Sequence, residues 1–290
     1  MAWLTLLLLV AVTCLSAYLR HSAAGLGCAP WPACFGQGER AAPGAMVVGG
    51  QALTLARAAH RITATLALLL VIAMVFVSLA LRPRLPREGA LALALLTFAL
   101  LLALLGVFTP GSRLPAVAIG NLLGGFLMLA IAARLVARPA QPRLGAWAIG
   151  AALLLLAQIA LGAFTSAAFA GLACTDIREC LEQARAGGWN GATLNPWREP
   201  AIAVGTPHPE GALAQLLHRL GSVVVVPLLG WFGVCAWRCG HRFEAAALLL
   251  LLAAQVALGM VVGSTGLPLV PVLLHNLGTA LMLALVLRLA

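Results

Sequence analysis

Apolar residues in this chain come in long, nearly unbroken runs, without the short hydrophobic periods that mark a soluble helix or a half-buried strand. Eight such runs lie at about 2–19, 52–81, 89–109, 115–137, 144–169, 211–237, 243–263 and 268–289. Each approaches or exceeds the roughly 20 residues a helix needs to cross a hydrocarbon core. The pattern therefore predicts an all-α membrane protein of eight transmembrane helices. Alternate breaks differ in kind. One set is short and rich in Arg: 81–88 with Pro83 and Pro86, 138–143 with Pro139 and Pro142, and 237–242. The other set comprises two long segments, about 20–50 and 170–210, which hold most of the acids, and two tight turns at 110–114 and 264–268.

Composition supports the lipid-embedded reading. Of 290 residues 62% are hydrophobic and only 9% charged, too few to solvate a globular surface. With 6% aromatic residues and many Ala, Leu and Gly, packed helices are favoured over a barrel with aromatic girdles. The net charge of +10 comes from 18 arginines against eight acids. These arginines are scattered singly between apolar runs, so no nucleic-acid-binding face forms. Nine of them (Arg82, Arg84, Arg87, Arg134, Arg138, Arg143, Arg238, Arg242 and the terminal Arg288) fall on the side of the short breaks, against seven on the opposite side. The positive-inside rule then puts the short loops and both termini in the cytoplasm of a bacterial inner membrane. The first run lacks a basic leader and is long for a signal peptide, so it is expected to stay as a helix; no Arg-rich presequence points to organelle import.

The cysteines agree with this orientation. Cys28 and Cys34 fall in the first long loop, Cys174 and Cys180 in the second, both on the oxidising side where disulfides persist. Four cysteines allow three connectivities, of which pairing within each loop is favoured by proximity. A structural staple and a redox role both remain open. Cys14, Cys235 and Cys239 read as inert thiols.

Self-comparison reveals a repeat. The Cys28 and Cys34 loop recurs as Cys174 and Cys180; His60-Arg61 recurs as His218-Arg219; and Asn121-Leu122-Leu123-Gly124 is matched by His275-Asn276-Leu277-Gly278, in the same order. Two tandem four-helix bundles of parallel topology follow, residues 1–139 and 140–290. His60, Asn121, His218 and His275 would all lie roughly 10–13 Å along their helices at 1.5 Å per residue, sharing one depth. Two imidazoles at equal depth can ligate one haem iron from opposite faces, and the second half has both, His218 and His275. A lone intramembrane His is as well explained by a bond between helices; three in register favour metal ligation. Arg61 and Arg219, beside two of these histidines, suit pairing with haem propionates, against the plain alternative of snorkelling to the interface. His21, His208 and His241 lie in or near loops and look unremarkable.

With these residues in place, the whole chain resembles the haem A synthase family. The resemblance rests on Cys28 and Cys34 with Trp31-Pro32 between them, on His60-Arg61, Gln158-Ile159-Ala160-Leu161-Gly162, Ala173-Cys174-Thr175-Asp176, His218-Arg219 and His275, and on Gln255-Val256-Ala257-Leu258-Gly259, which repeats the earlier Gln segment. The resemblance implies oxidation of a haem O ring methyl to a formyl group, giving haem A for terminal oxidases. It implies a b-type haem between His218 and His275, and the substrate haem in the first half, with His60 as one ligand. By similarity Cys28 and Cys34 form a disulfide with a redox or haem-transfer role. The implied partners are haem O synthase, oxidase assembly factors and the lipid bilayer.

Two positions depart from the family pattern, both in the first half. Arg57 stands where the family carries a Glu three residues before the His, and Asn121 stands where a His is expected. An amide is a poor iron ligand, so catalysis at His60, Asn121 and Arg57 would proceed with one axial position open. Alternatively, the protein is a haem-binding, non-catalytic paralogue in oxidase assembly or electron transfer. A solute transporter with tandem repeats is the third class; it has no need of His-Arg pairs in register.

Overall fold

The computed structural model describes residues 1–23, 50–80, 85–109, 112–137, 144–200 and 209–290. Among these the chain is entirely helical. Its helices are α1 (Ala2–Ala23), α2 (Gly50–Ala80), α3 (Pro86–Phe108), α4 (Pro115–Val136), α5 (Ala146–Ala167), α6 (Ile177–Ala186), α7 (Ala212–Arg238), α8 (Arg242–Ser264) and α9 (Leu269–Arg288), with three short 3-10 turns around α6. All but α6 are long and apolar enough to cross a membrane. The expected spans are found within a few residues. Cys28, Cys34, His208, residues 81–84 of the first Arg-rich break and all of the second, 138–143, lie outside the described residues.

Contacts between helices run in two rings. In one, α1 meets α2, α2 meets α3, α3 meets α4 and α4 meets α1; in the other, α5, α7, α8 and α9 pack in the same cyclic way. The rings join where α4 lies against α9 and α5, and α1 against α9. One continuous apolar core spans both, from Val71 and Leu95 through Leu129 to Leu229, Leu248 and Leu283. Small buried residues on α4 (Ala130, Ala132, Ala133) and on α9 (Ala280, Ala284) line this core. Lipid and side chains are equally apolar, so van der Waals fit rather than water exclusion holds spans together, and small residues allow the close approach.

Arginines at the Arg-rich end close the helix ends. A helix leaves its last carbonyls without partners, and a cation there also suits the helix dipole. Arg87, at the start of α3, donates to the carbonyls of Arg134 (2.9 Å) and Ala137 (3.3 Å) at the end of α4. Arg134 in turn donates to the carbonyls of Leu287 (3.0 Å), in the last turn of α9, and Ala290 (3.2 Å), just past it. Arg288 pairs with Glu244 at 3.6 Å, tying α9 to the start of α8.

The segment at 170–210, long and rich in Gly and Pro, contains a helix. Asp176 caps α6, its carboxylate accepting from the Glu179 amide at 2.8 Å. Glu179 reaches back one residue further, to the Thr175 amide (2.6 Å) and hydroxyl (2.5 Å). These bonds hold the Glu179 carboxyl below its ordinary value of 4.5, the Thr175 hydroxyl contributing most. The Cys174–Cys180 disulfide is formed, as loop-internal pairing predicts, and joins the start of this segment to the first turn of α6.

Candidate functional site

His218 and His275 line one cavity of about 940 Å³ within the ring of α5, α7, α8 and α9, reached also by α1 and α4. Its walls are mostly aliphatic, with Leu155, Ile159, Val225, Leu229, Leu252, Val256 and Met282 among them. Each histidine is the seventh residue of its helix, and Asn121 is the seventh of α4. His60 is the eleventh of the longer α2.

Close helix packing sets the two rings. A β-carbon at Gly162 of α5 would stand 2.8 Å from His218 Cε1, and one at Gly259 of α8 would stand 3.5 Å from His275 Cε1. Both glycines end the repeated Gln-x3-Gly segment. Gln158 Nε2 lies 3.2 Å from His218 Nδ1 and donates to the His218 carbonyl at 2.9 Å. On the other side, the Thr279 hydroxyl bonds both the His275 carbonyl (2.8 Å) and Gln255 Oε1 (3.1 Å). Gln158 thus holds both the ring and the backbone of His218.

Three arginines, Arg20, Arg178 and Arg219, line the same space. Arg219 donates to the Cys174 carbonyl at 3.2 Å, so the disulfide-bearing end of the protein positions it. Arg20, from α1, donates to Ser16 Oγ at 3.0 Å and to Asn276 Oδ1 at 3.1 Å. Sequence reasoning missed Arg20; the signal was a charge ending an apolar run. His21 also lines the cavity, its Nε2 2.9 Å from the Leu267 carbonyl, so it is not the unremarkable loop histidine expected. Leu267 has a positive φ of 61°, unusual for a residue with a β-carbon, in the turn that this bond holds.

The first-half candidates are not drawn into this cavity. His60 and Asn121 are half-buried, Arg57 and Arg61 exposed, and none of the four lines it. Cys14 and Cys235 are half-buried and Cys239 exposed, all three as free thiols.

Fold and site together define a multi-pass helical membrane protein with two imidazoles facing an apolar chamber flanked by arginines. Residues 1–287 match the COX15-CtaA family, described as cytochrome oxidase assembly protein. The heme A synthase of Shewanella oneidensis is 30% identical over 319 residues, an alignment taking in 98% of this chain and 93% of that protein. The chain belongs to the haem A synthase family, membrane oxidoreductases of haem A biosynthesis.

Proposed function

We propose that this protein converts the ring methyl of haem O to a formyl group, yielding haem A, and that its second half holds a resident b-type haem between His218 and His275. The observation that carries the reading is the pair of histidines on one cavity. Several features fit a haem. A volume of about 940 Å³ lies at the upper end of the usual range for ligand pockets, about 300–1,000 Å³. Two imidazoles amid aliphatic walls suit a macrocycle that brings its own equatorial nitrogens. The buried His275 Nδ1 has no protein partner among the described residues, and Arg20 and Arg219 offer cations to carboxylates.

A bound haem supplies one-electron redox chemistry to the site. The chain's own residues orient and shield it. His218 and His275 would fix its plane, Arg219 and Arg20 its propionate edge, and the aliphatic walls would exclude water. In the first half His60 would hold the substrate haem by one face. Asn121 would face the other with an amide rather than a strong ligand, leaving room for oxygen. Arg61 suits the substrate's carboxylates, and Arg57 brings positive charge near the reacting site. The Arg-rich end lies in the cytoplasm, and the cysteine segments lie outside; haem O synthase and oxidase assembly factors are the partners of such a reaction.

Co-expression with a haem O source and chromatography of extracted haems tests this. Haem A or its hydroxylated precursor above the vector control is expected under oxygen; none would overturn catalysis. Asn121 and Arg57 favour one second reading, a haem-carrying paralogue without synthase activity. Under it, Arg57→Glu with Asn121→His creates activity that the native protein lacks.

A further inference from the structure

The cavity that His218 and His275 line is not shut inside its ring of helices. Residues that line a cavity and are also exposed mark where it opens, and here they form two groups. Ser166, Ser264 and residues 175–178 make a largely polar rim at the disulfide-bearing end. The other group is apolar and lies deeper in the spans: Val223 of α7 (62% exposed), with Val256 (40%) and Met260 (65%) of α8. Val223 is the twelfth residue of α7, about 17 Å along the helix from its start at 1.5 Å per residue. An opening at that depth faces hydrocarbon, not water.

The seams of the ring differ. Between α5 and α7, a β-carbon at Gly162 would stand 2.8 Å from His218 Cε1, and one at Gly221 would fall on the Gln158 amide. Between α8 and α9, one at Gly278 would fall on the Gln255 amide. The seam of α5 with α9 is backed by α4, which packs on both. Between α7 and α8 the close fit lies toward the Arg-rich end, where a β-carbon at Gly233 would stand 2.9 Å from Leu249 Cδ2. Near the disulfide-bearing end the Arg219 guanidinium crosses from α7 to α8. It stands 3.3 Å from the place a β-carbon would take at Gly263 and donates to the Cys174 carbonyl. Between that bar and the Gly233 contact the two helices frame a slit, with Val223 on one lip and Val256 and Met260 on the other.

Shape and polarity select what passes. α7 and α9 are diagonal in the ring, so a flat ligand seated between His218 and His275 can leave only edgewise, past α5 or past α8. The α5 side is packed. On the α8 side an apolar body crosses apolar lips directly into lipid. Carboxylates are costly in hydrocarbon, and Arg219 stands at the head of the slit where a carboxylate edge would pass.

We propose that the second half loads and releases its haem sideways, from the lipid, through the slit between α7 and α8 rather than through the polar rim. The inference rests on the reading that His218 and His275 hold a haem.

The test uses the full-length chain, prepared haem-depleted in lipid nanodiscs, with haemin added and the Soret band followed in time. Val223→Trp with Met260→Trp narrows the slit and should slow uptake by about tenfold, a barrier about 1.4 kcal/mol higher, with the final Soret amplitude native. Val223→Ala with Met260→Ala widens it and should speed uptake. Val224→Trp and Leu250→Trp, exposed on the same two helices but outside the cavity lining, should match the native rate, as should Ile177→Trp at the rim. Release from loaded protein to excess apomyoglobin runs the route in reverse and should rank the variants alike, which covers any that cannot be prepared without haem. Native rates in both the tryptophan and the alanine pair, equal slowing by Val224→Trp and Leu250→Trp, or slowing by Ile177→Trp alone overturns the proposal. Absence of a Soret band from native protein, or haem retained in both His218→Ala and His275→Ala, instead overturns the haem reading beneath it.

Discussion

Arg20 of α1 donates to Asn276 Oδ1 of α9 at 3.1 Å, placing a cation from the first helix beside the residue that follows His275. The cavity of the second ring is thus completed by a helix of the first. Hydrogen bonds to charged groups contribute about 1.5–3 kcal/mol, and a buried charge stripped of its acceptor costs more than a pair removed together. Asn276→Leu should lower haem retention more than Arg20→Met, which should weaken it by about tenfold. Haem-to-protein ratios after stepwise detergent washing read this directly; equal retention in both variants would remove Arg20 from the site.

The two ring-supporting glycines are not equivalent. Gly162→Ala puts a methyl 2.8 Å from the His218 ring, whereas Gly259→Ala makes an ordinary 3.5 Å contact with His275. Reduced-minus-oxidised spectra should show haem largely lost or high-spin in the first variant and close to native in the second.

Gly221→Ala drives its β-carbon onto the Gln158 amide. Overpacking of this kind costs about 1–3 kcal/mol. Adding Gln158→Ser opens the space, so the double variant should recover most of the loss in thermal unfolding. Additive losses would mean that the two residues do not meet.

Outside the membrane, Glu179 gives a pH dependence. Its folded-state value is held below the usual 4.5, chiefly by the Thr175 hydroxyl, so its stabilisation of the α6 cap is present above that value. It is lost as pH falls through the lowered value. Thr175→Val should therefore reduce the unfolding temperature at pH 6, with a smaller difference from native at pH 3.

The spans were legible because lipid imposes a single requirement, unbroken apolar length, that any sequence must meet openly. The spacing of His218 and His275 within their helices was legible for the same reason. Arg20 was not, because nothing in a one-dimensional pattern says which ring a helix end will lean into. The α6 helix was present in outline, since Asp176 and Glu179 carry the Asp-x-x-Glu form of a helix start, but the surrounding Gly and Pro outweighed it. The Gln-x3-Gly repeat could be read, yet its purpose depends on a partner helix about 60 residues away in one case and about 20 in the other.

The contacts of Gly221 and Gly278 also order the substitutions open to this protein over time. A side chain can enter at either glycine only if the end of its glutamine swings aside or the glutamine shortens. A lineage that reaches an alanine at 221 or 278 gives up the present seat of the neighbouring amide in the same step or before it.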